Sequence, residues 1–176
     1  SELYLPFKRY HIAKVWRGEK PQAGRYREFV QCDVDTVGSD TAAADFEILN
    51  VMKSALSAIG VDDITINVNH RGIFNRFLSK LDLLEKSEDI LRSVDKLAKV
   101  GQEAVVNELI QITQSPEKSN KIIEYISAKG SFLEILAQLE EMAGGPAEDT
   151  QRMKDIYNMM CASGIESTYV LNPSIT

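Results

Sequence analysis

Between residues 82 and 145 the chain is cut into short helical periods by its own punctuation, and stretches that alternate like strands lie on both sides of that block. Apolar residues recur at Ile90, Leu91, Val94 and Leu97 before Gly101, and at Val105, Val106 and Leu109 in the next segment. Spacings of three and four place such residues on one helical face, which predicts helices near residues 88–100 and 102–112. Ser115-Pro116 is a cap followed by proline at the first helical position, and this third helix is expected to run to about Gly130. Ser131 and Glu134 have the spacing of a capping box and open a fourth, which Gly144-Gly145-Pro146 closes.

The flanks have a different period. Residues 11–16 and 30–37 are β-rich runs joined by Arg17-Gly18-Glu19-Lys20-Pro21-Gln22-Ala23-Gly24-Arg25, which predicts an antiparallel hairpin with a long loop, and loops of that length are usually functional. From Asp40, read as an N-cap, Phe46, Leu49, Met52, Leu56 and Ile59 form a helical stripe that closes at Gly60, a helix expected to pack on the sheet. Ile64, Ile66 and Val68 alternate with Thr65, Asn67 and Asn69 in a half-buried strand, and residues 71–78 begin another helix. Past the helical block, a helix near residues 148–162 carries Met153, Tyr157 and Met160 as a core stripe, and residues 167–171 form a strand that can return to the sheet. The expected fold class is therefore α+β: a core made of residues 1–81 and 146–176, interrupted by an all-α insertion at residues 82–145.

A composition of 44% hydrophobic and 26% charged residues over 176 positions belongs to a folded chain and excludes a disordered tail or a fibre. No run approaches the roughly 20 apolar residues of a membrane span, and no signal segment opens the chain, so a soluble cytoplasmic protein is expected, with no membrane partner. Cys32 and Cys161 are far apart and do not combine with His11 and His70 at ligand spacing, so neither a disulfide framework nor a structural metal is expected. The net charge of −6 is uneven: residues 1–30 hold seven basic and three acidic residues, a net of +4. An anionic ligand would be met at that end. The chain opens at Ser1 without an initiator Met and stops on Asn172-Pro173-Ser174-Ile175-Thr176, and we expect a piece of a longer protein.

Side chains alternate along a strand, so Val15, Arg17 and Glu19 share a face, as do Gln31, Asp33 and Asp35 on the partner strand. An arginine, an amide and two carboxylates make a poor core but a good floor for a small zwitterion and a phosphate. Lys20, Arg25 and Arg27 in the loop suit phosphate oxygens, arginine through its bidentate fork. The same spacing also fits a solvated edge with ordinary surface ion pairs. Asp33 is read as a partner behind the ligand-touching residues. Cys32 alternates to the opposite face and is expected to be small and buried, while Trp16 and Phe29 are read as packing residues. His70, where a strand gives way to a helix, is read as a cap or turn residue.

The stretch from Trp16 to Asp35, with Arg-Tyr-Arg-Glu-Phe at residues 25–29 and Gln31-Cys32-Asp33 after it, resembles motif 2 of the class II aminoacyl-tRNA synthetases in the form that histidyl-tRNA synthetases carry. Asn69-His70-Arg71, residues 94–101 and Leu171-Asn172-Pro173-Ser174 resemble the same family, and the insert resembles its eukaryotic-like branch. The resemblance covers essentially the whole chain. It implies part of the class II antiparallel-sheet catalytic domain with a helical insertion domain. It further implies that Arg17 is catalytic, holding the ATP α-phosphate and the histidine carboxylate, and that Glu19 and Arg25 lie on the adenine and outer-phosphate side. Gln31 and Asp35 match the positions that hold the amino group and imidazole of histidine. ATP with Mg2+, histidine and tRNA(His) are the implied ligands, and the parent is expected to be a homodimer. The loop over residues 18–28 is expected to be mobile without ATP.

The insert is implied to lie over the acceptor arm of the tRNA, yet residues 82–145 carry seven basic and twelve acidic residues, a net of −5. An RNA-binding face usually shows a basic patch. Lys118, Lys121 and Lys129 form the one local concentration and, with Lys20, are the expected tRNA contacts; a solvated helical face is the other reading. The family's first and third motifs and its anticodon-binding domain have no counterpart in these residues, so the piece alone is expected to be inactive. A non-catalytic relative, such as the regulatory subunit of ATP phosphoribosyltransferase or a histidine or tRNA sensor, is the alternative; retention of all five ATP and histidine residues argues against it. The acidic insert argues against a simple RNA-binding module.

Overall fold

The computed structural model describes residues 4–175; the first three residues of the expected core segment, and Thr176, lie outside the described residues. The chain divides into two compact units between Val61 and Asp62.

The first unit is a hairpin followed by a helix. Strands β1 (Phe7–Trp16) and β2 (Glu28–Val37) pair antiparallel with Phe7 opposite Val37 and Trp16 opposite Glu28, so both begin earlier than the alternation predicted. Helix α1 (Ala42–Ala58) is capped by Thr41 rather than Asp40: the Thr41 backbone is extended and its Oγ1 accepts from the Ala44 N–H at 3.2 Å. That is the geometry of an N-cap hydroxyl closing the first helical turn. The helix stops before Gly60, whose φ of +82° is open to glycine without cost. Lys8 and Glu47 tie β1 to α1 at 2.6 Å. No described residue of this unit is buried, so the α1 stripe lies half covered, with Ile59 74% exposed.

Opposed residues of an antiparallel pair share a face. The odd-numbered residues therefore form one face, and Ala13, Val15, Phe29, Gln31, Asp33 and Asp35 on it are half-buried. The even-numbered face is open: Tyr10 is 76% exposed, Trp16 70% and Val30 63%. Cys32 is exposed on it, which corrects its assignment as buried: alternation sets it on this face as expected, and the described residues of the unit leave it uncovered. Trp16 likewise packs little, and its indole N–H donates to a Glu28 carboxylate oxygen at 2.9 Å.

The second unit holds the core. Strand β3 (Ile66–Val68) is shorter than predicted and pairs parallel with β4 (Tyr169–Leu171), Ile66 opposite Tyr169 and Val68 opposite Leu171. A short 3-10 turn, Glu166–Thr168, takes the first residues expected of the closing strand. Helix α2 (Arg71–Lys80) is capped by His70, whose Nδ1 accepts from the Gly72 N–H at 3.1 Å, the cap role read from its position. The helix predicted over residues 88–100 is two, α3 (Ser87–Val94) and α4 (Leu97–Val100), and α5 (Gln102–Thr113) follows Gly101 at φ +82°. Helix α6 (Pro116–Ile126) starts on the Ser115 cap as expected but ends short of Gly130. Helix α7 (Phe132–Met142) carries the capping box, Glu134 Oε2 accepting from both the backbone N–H and the hydroxyl of Ser131 at 2.8 Å. Helix α8 (Glu148–Ala162) completes the set.

Phe77 and Tyr125 stack at 4.6 Å between ring centroids, with Phe74 5.2 Å from Tyr125, at the meeting of α2 and α6. Ile90 and Val94, Val105 and Leu109, Ile122, Leu136 and Leu139, and Met153 and Met160 bury the inner faces of the other helices. One polar side chain links α2 to the turn after α7 and to α8. Arg76 donates to both Asp149 carboxylate oxygens at 2.9 Å and to the carbonyls of Ala143 and Gly145 at 3.2 and 3.0 Å. Such a bidentate pair fixes direction as well as distance.

Candidate functional site

Arg17 leaves the end of β1 still in register, its backbone N–H donating to the Arg27 carbonyl at 2.9 Å. Its guanidinium lies 5.0 Å above the Phe29 ring and donates to Gln31 Oε1 at 3.2 Å. Gln31 in turn donates through Nε2 to Asp33 Oδ1 at 2.6 Å. A carboxylate only accepts, so Asp33 draws the amino end of the Gln31 amide toward itself and leaves the carbonyl oxygen on the Arg17 side. Asp35 follows on the same face, where the Arg9 Nε donates to its Oδ2 at 2.8 Å. Arg17, Gln31, Asp33 and Asp35 thus stand together on the odd face, in the alternation expected of them.

Glu19 departs from that expectation. Strand pairing stops at Trp16, so Glu19 belongs to the loop and pairs with Arg25 across its tip. The Arg25 side chain bonded to Glu19 holds its carboxyl below the usual carboxylate range. Arg27 Nε donates to the Glu19 carbonyl at 3.0 Å, and Gln22 and Arg25 exchange backbone hydrogen bonds in a tight turn in which Gly24 takes φ +77°. Lys20 is exposed in this loop. The face therefore offers an arginine, an amide oxygen and carboxylate oxygens for a zwitterion, and the loop beside it adds cations for an anion.

Two contributors were missed in the sequence. Phe29 packs, as its type suggests, but against a guanidinium. Arg9 was not singled out because its approach to Asp35 follows from hairpin register, which the long loop leaves open.

The lysines of the helical block are dispersed. Lys118 donates its ammonium to the Leu81 carbonyl at the end of α2, Lys121 pairs with Glu117 at 2.7 Å one turn away, and Lys129 is exposed beyond α6. Among the described residues no three His, Cys, Asp or Glu side chains come together as a metal cage, and no helix is long and apolar enough to cross a membrane.

Known proteins resemble the chain along its length. The solved histidyl-tRNA synthetase of Nostoc sp. PCC 7120 superposes with a TM-score of 0.86 at 24% identity, covering 99% of this chain and 41% of that one, and so shares its fold. Histidine–tRNA ligase of Treponema denticola is 58% identical over all of this chain, that of Treponema pallidum 48%, and that of Rhodopirellula baltica 45% over 93% of it. The chain spans about two fifths of the length of these relatives. The histidyl-tRNA synthetase family model matches residues 4–174, and the chain belongs to that family.

Proposed function

We propose that the protein containing this chain is a histidine–tRNA ligase, which joins histidine to ATP as histidyl-adenylate and then transfers histidine to tRNA(His). The observation that carries the reading is the common face of Arg17, Gln31 and Asp35 beside a loop holding Arg25. Gln31 Oε1 accepts from the substrate ammonium and Asp35 from an imidazole N–H, while Arg17 holds the substrate carboxylate and the ATP α-phosphate. A carboxylate oxygen of histidine attacks the α-phosphorus as the bond to pyrophosphate breaks. Arg17, stacked on Phe29, neutralises charge that develops there, so positioning and electrostatics suffice without a protein nucleophile. Glu19 and Arg25 take the adenine and outer-phosphate side. Mg2+ arrives on the triphosphate, in keeping with its preference for phosphate oxygens and few protein ligands, and supplies further neutralisation there.

Residues 82–145 are read as the insertion domain and the remainder as catalytic core, with Lys20, Lys118, Lys121 and Lys129 as tRNA contacts; Lys118 serves that role least, because its ammonium caps α2. The reading includes a cytoplasmic homodimer. A non-catalytic paralogue is not favoured, because Arg17, Glu19, Arg25, Gln31 and Asp35 are all present. Histidine-dependent ATP/pyrophosphate exchange by the full-length protein tests the proposal. Arg17→Ala should lower the rate about 10²- to 10³-fold, as for loss of other preorganised donors, and Asp35→Ala should abolish the histidine-dependent exchange. No exchange by the folded full-length protein would overturn it.

A further inference from the structure

We infer that Arg9 sets the charge of the subsite for the substrate side chain: paired with Asp35, it makes that subsite take a neutral ring N–H donor and turn away cationic side chains. The inference rests on the reading of Asp35 as the imidazole partner. Hairpin register puts Arg9 directly opposite Asp35. Residues so opposed on one face have Cβ atoms only about 4.5–5.5 Å apart, so the two charges are neighbours through the backbone and not through a chance rotamer. A one-residue slip would separate them only by turning the whole of β1 inside out. Arg9 Nε occupies Asp35 Oδ2 at 2.8 Å, and the carboxylate retains capacity at Oδ1 for one further donor.

A lone carboxylate attracts a full cation more strongly than a neutral donor. With a guanidinium fixed beside it the pair is neutral overall, and a lysine, arginine or imidazolium side chain meets a like charge along with its acceptor. A neutral imidazole keeps its hydrogen bond and meets no such repulsion. This is the discrimination that a carboxylate at position 35 lacks by itself. The other charged and titratable groups on this face are Asp33, whose Oδ1 already accepts from Gln31, His11, which stands opposite Asp33, and Arg17 with Arg27 opposite it at the far end of the hairpin ladder. Helix α1 carries Asp45, Glu47 and Lys53, of which Glu47 pairs with Lys8 on the even face.

The test measures KM for histidine in pyrophosphate exchange by the full-length enzyme at pH 6 and pH 8, with lysine as a competitor, for wild type, Arg9→Gln and Arg9→Lys. An imidazole of pKa about 6.5 loses roughly fourfold of its neutral form between pH 8 and pH 6. The wild-type KM should rise by about that factor as pH falls, and lysine should not compete. In Arg9→Gln the rise should vanish or reverse, and lysine inhibition should strengthen about tenfold or more. Arg9→Lys restores the cation and should restore the wild-type pH response. The pair is exposed, 58% and 42% at its two side chains, and such pairs contribute little to folding, so all variants should melt with the wild type. An Arg9→Gln enzyme with the wild-type pH response and the wild-type indifference to lysine would overturn this inference alone. A wild-type enzyme that ignores histidine would overturn the reading of Asp35 and this inference with it.

Discussion

Tyr125 carries a buried hydroxyl that the fold leaves unpartnered among the described residues. Its side chain is fully buried against Phe74 and Phe77. Burial first, and the nearby Asp149 charge second, push its ionisation well above the usual range, so it stays neutral. A buried hydroxyl without a partner costs desolvation and returns nothing, so Tyr125→Phe is expected to leave stability unchanged or raise it by up to about 1 kcal/mol in urea unfolding. Arg76 is the opposite case, with four hydrogen bonds and 30% exposure against 12% for Asp149. Its removal leaves a mostly covered carboxylate and two carbonyls without their donor. Arg76→Ala should therefore destabilise by about 2 kcal/mol, less than the roughly 3–5 of a fully buried pair because part of the guanidinium already meets water.

Among the elements, the helices depend on their ends. Glu134 accepts from the Ser131 backbone and hydroxyl, and these bonds hold its carboxyl below the ordinary value of 4.5. A carboxyl with a depressed folded-state pKa stabilises fully above its unfolded value, and that contribution is lost as pH falls through the folded value. The chain should therefore lose stability in the acid range below about pH 4.5, and Glu134→Gln, which cannot titrate, should lessen that loss in acid-unfolding curves. The hairpin depends on its strand pairing. Ten opposed pairs fix which residues share the ligand face, and the loop that joins them adds its cations without extending the ladder past Arg17 and Arg27.

At the scale of the molecule, the two units differ in what they enclose. The second buries a full helical core, whereas the first buries no described residue and leaves its ligand face in contact with water. Charge stabilisation of a transition state is strong in a dry, preorganised site and weak in an open one. The 176-residue chain by itself is accordingly expected to show no histidine-dependent pyrophosphate exchange, and measurable exchange by the purified chain would contradict this.

Most of the helices were legible because their signals are local. Ser115-Pro116, the Ser131 and Glu134 box, Gly101 and the His70 junction act within one turn, so the sequence near them suffices to place a start or a stop. The alternation that sets Arg17, Gln31, Asp33 and Asp35 on one face is equally local, because a strand has period two whatever it pairs with. Other features had to wait for tertiary structure. The long loop leaves strand register undetermined, so the opposition of Arg9 and Asp35 could not be read from either strand alone. The parallel pairing of β3 with β4 joins segments about a hundred residues apart, and Arg76 meets Asp149 across 73 positions. The exposure of Cys32 depended on what covers the sheet, and no pattern within a strand encodes that.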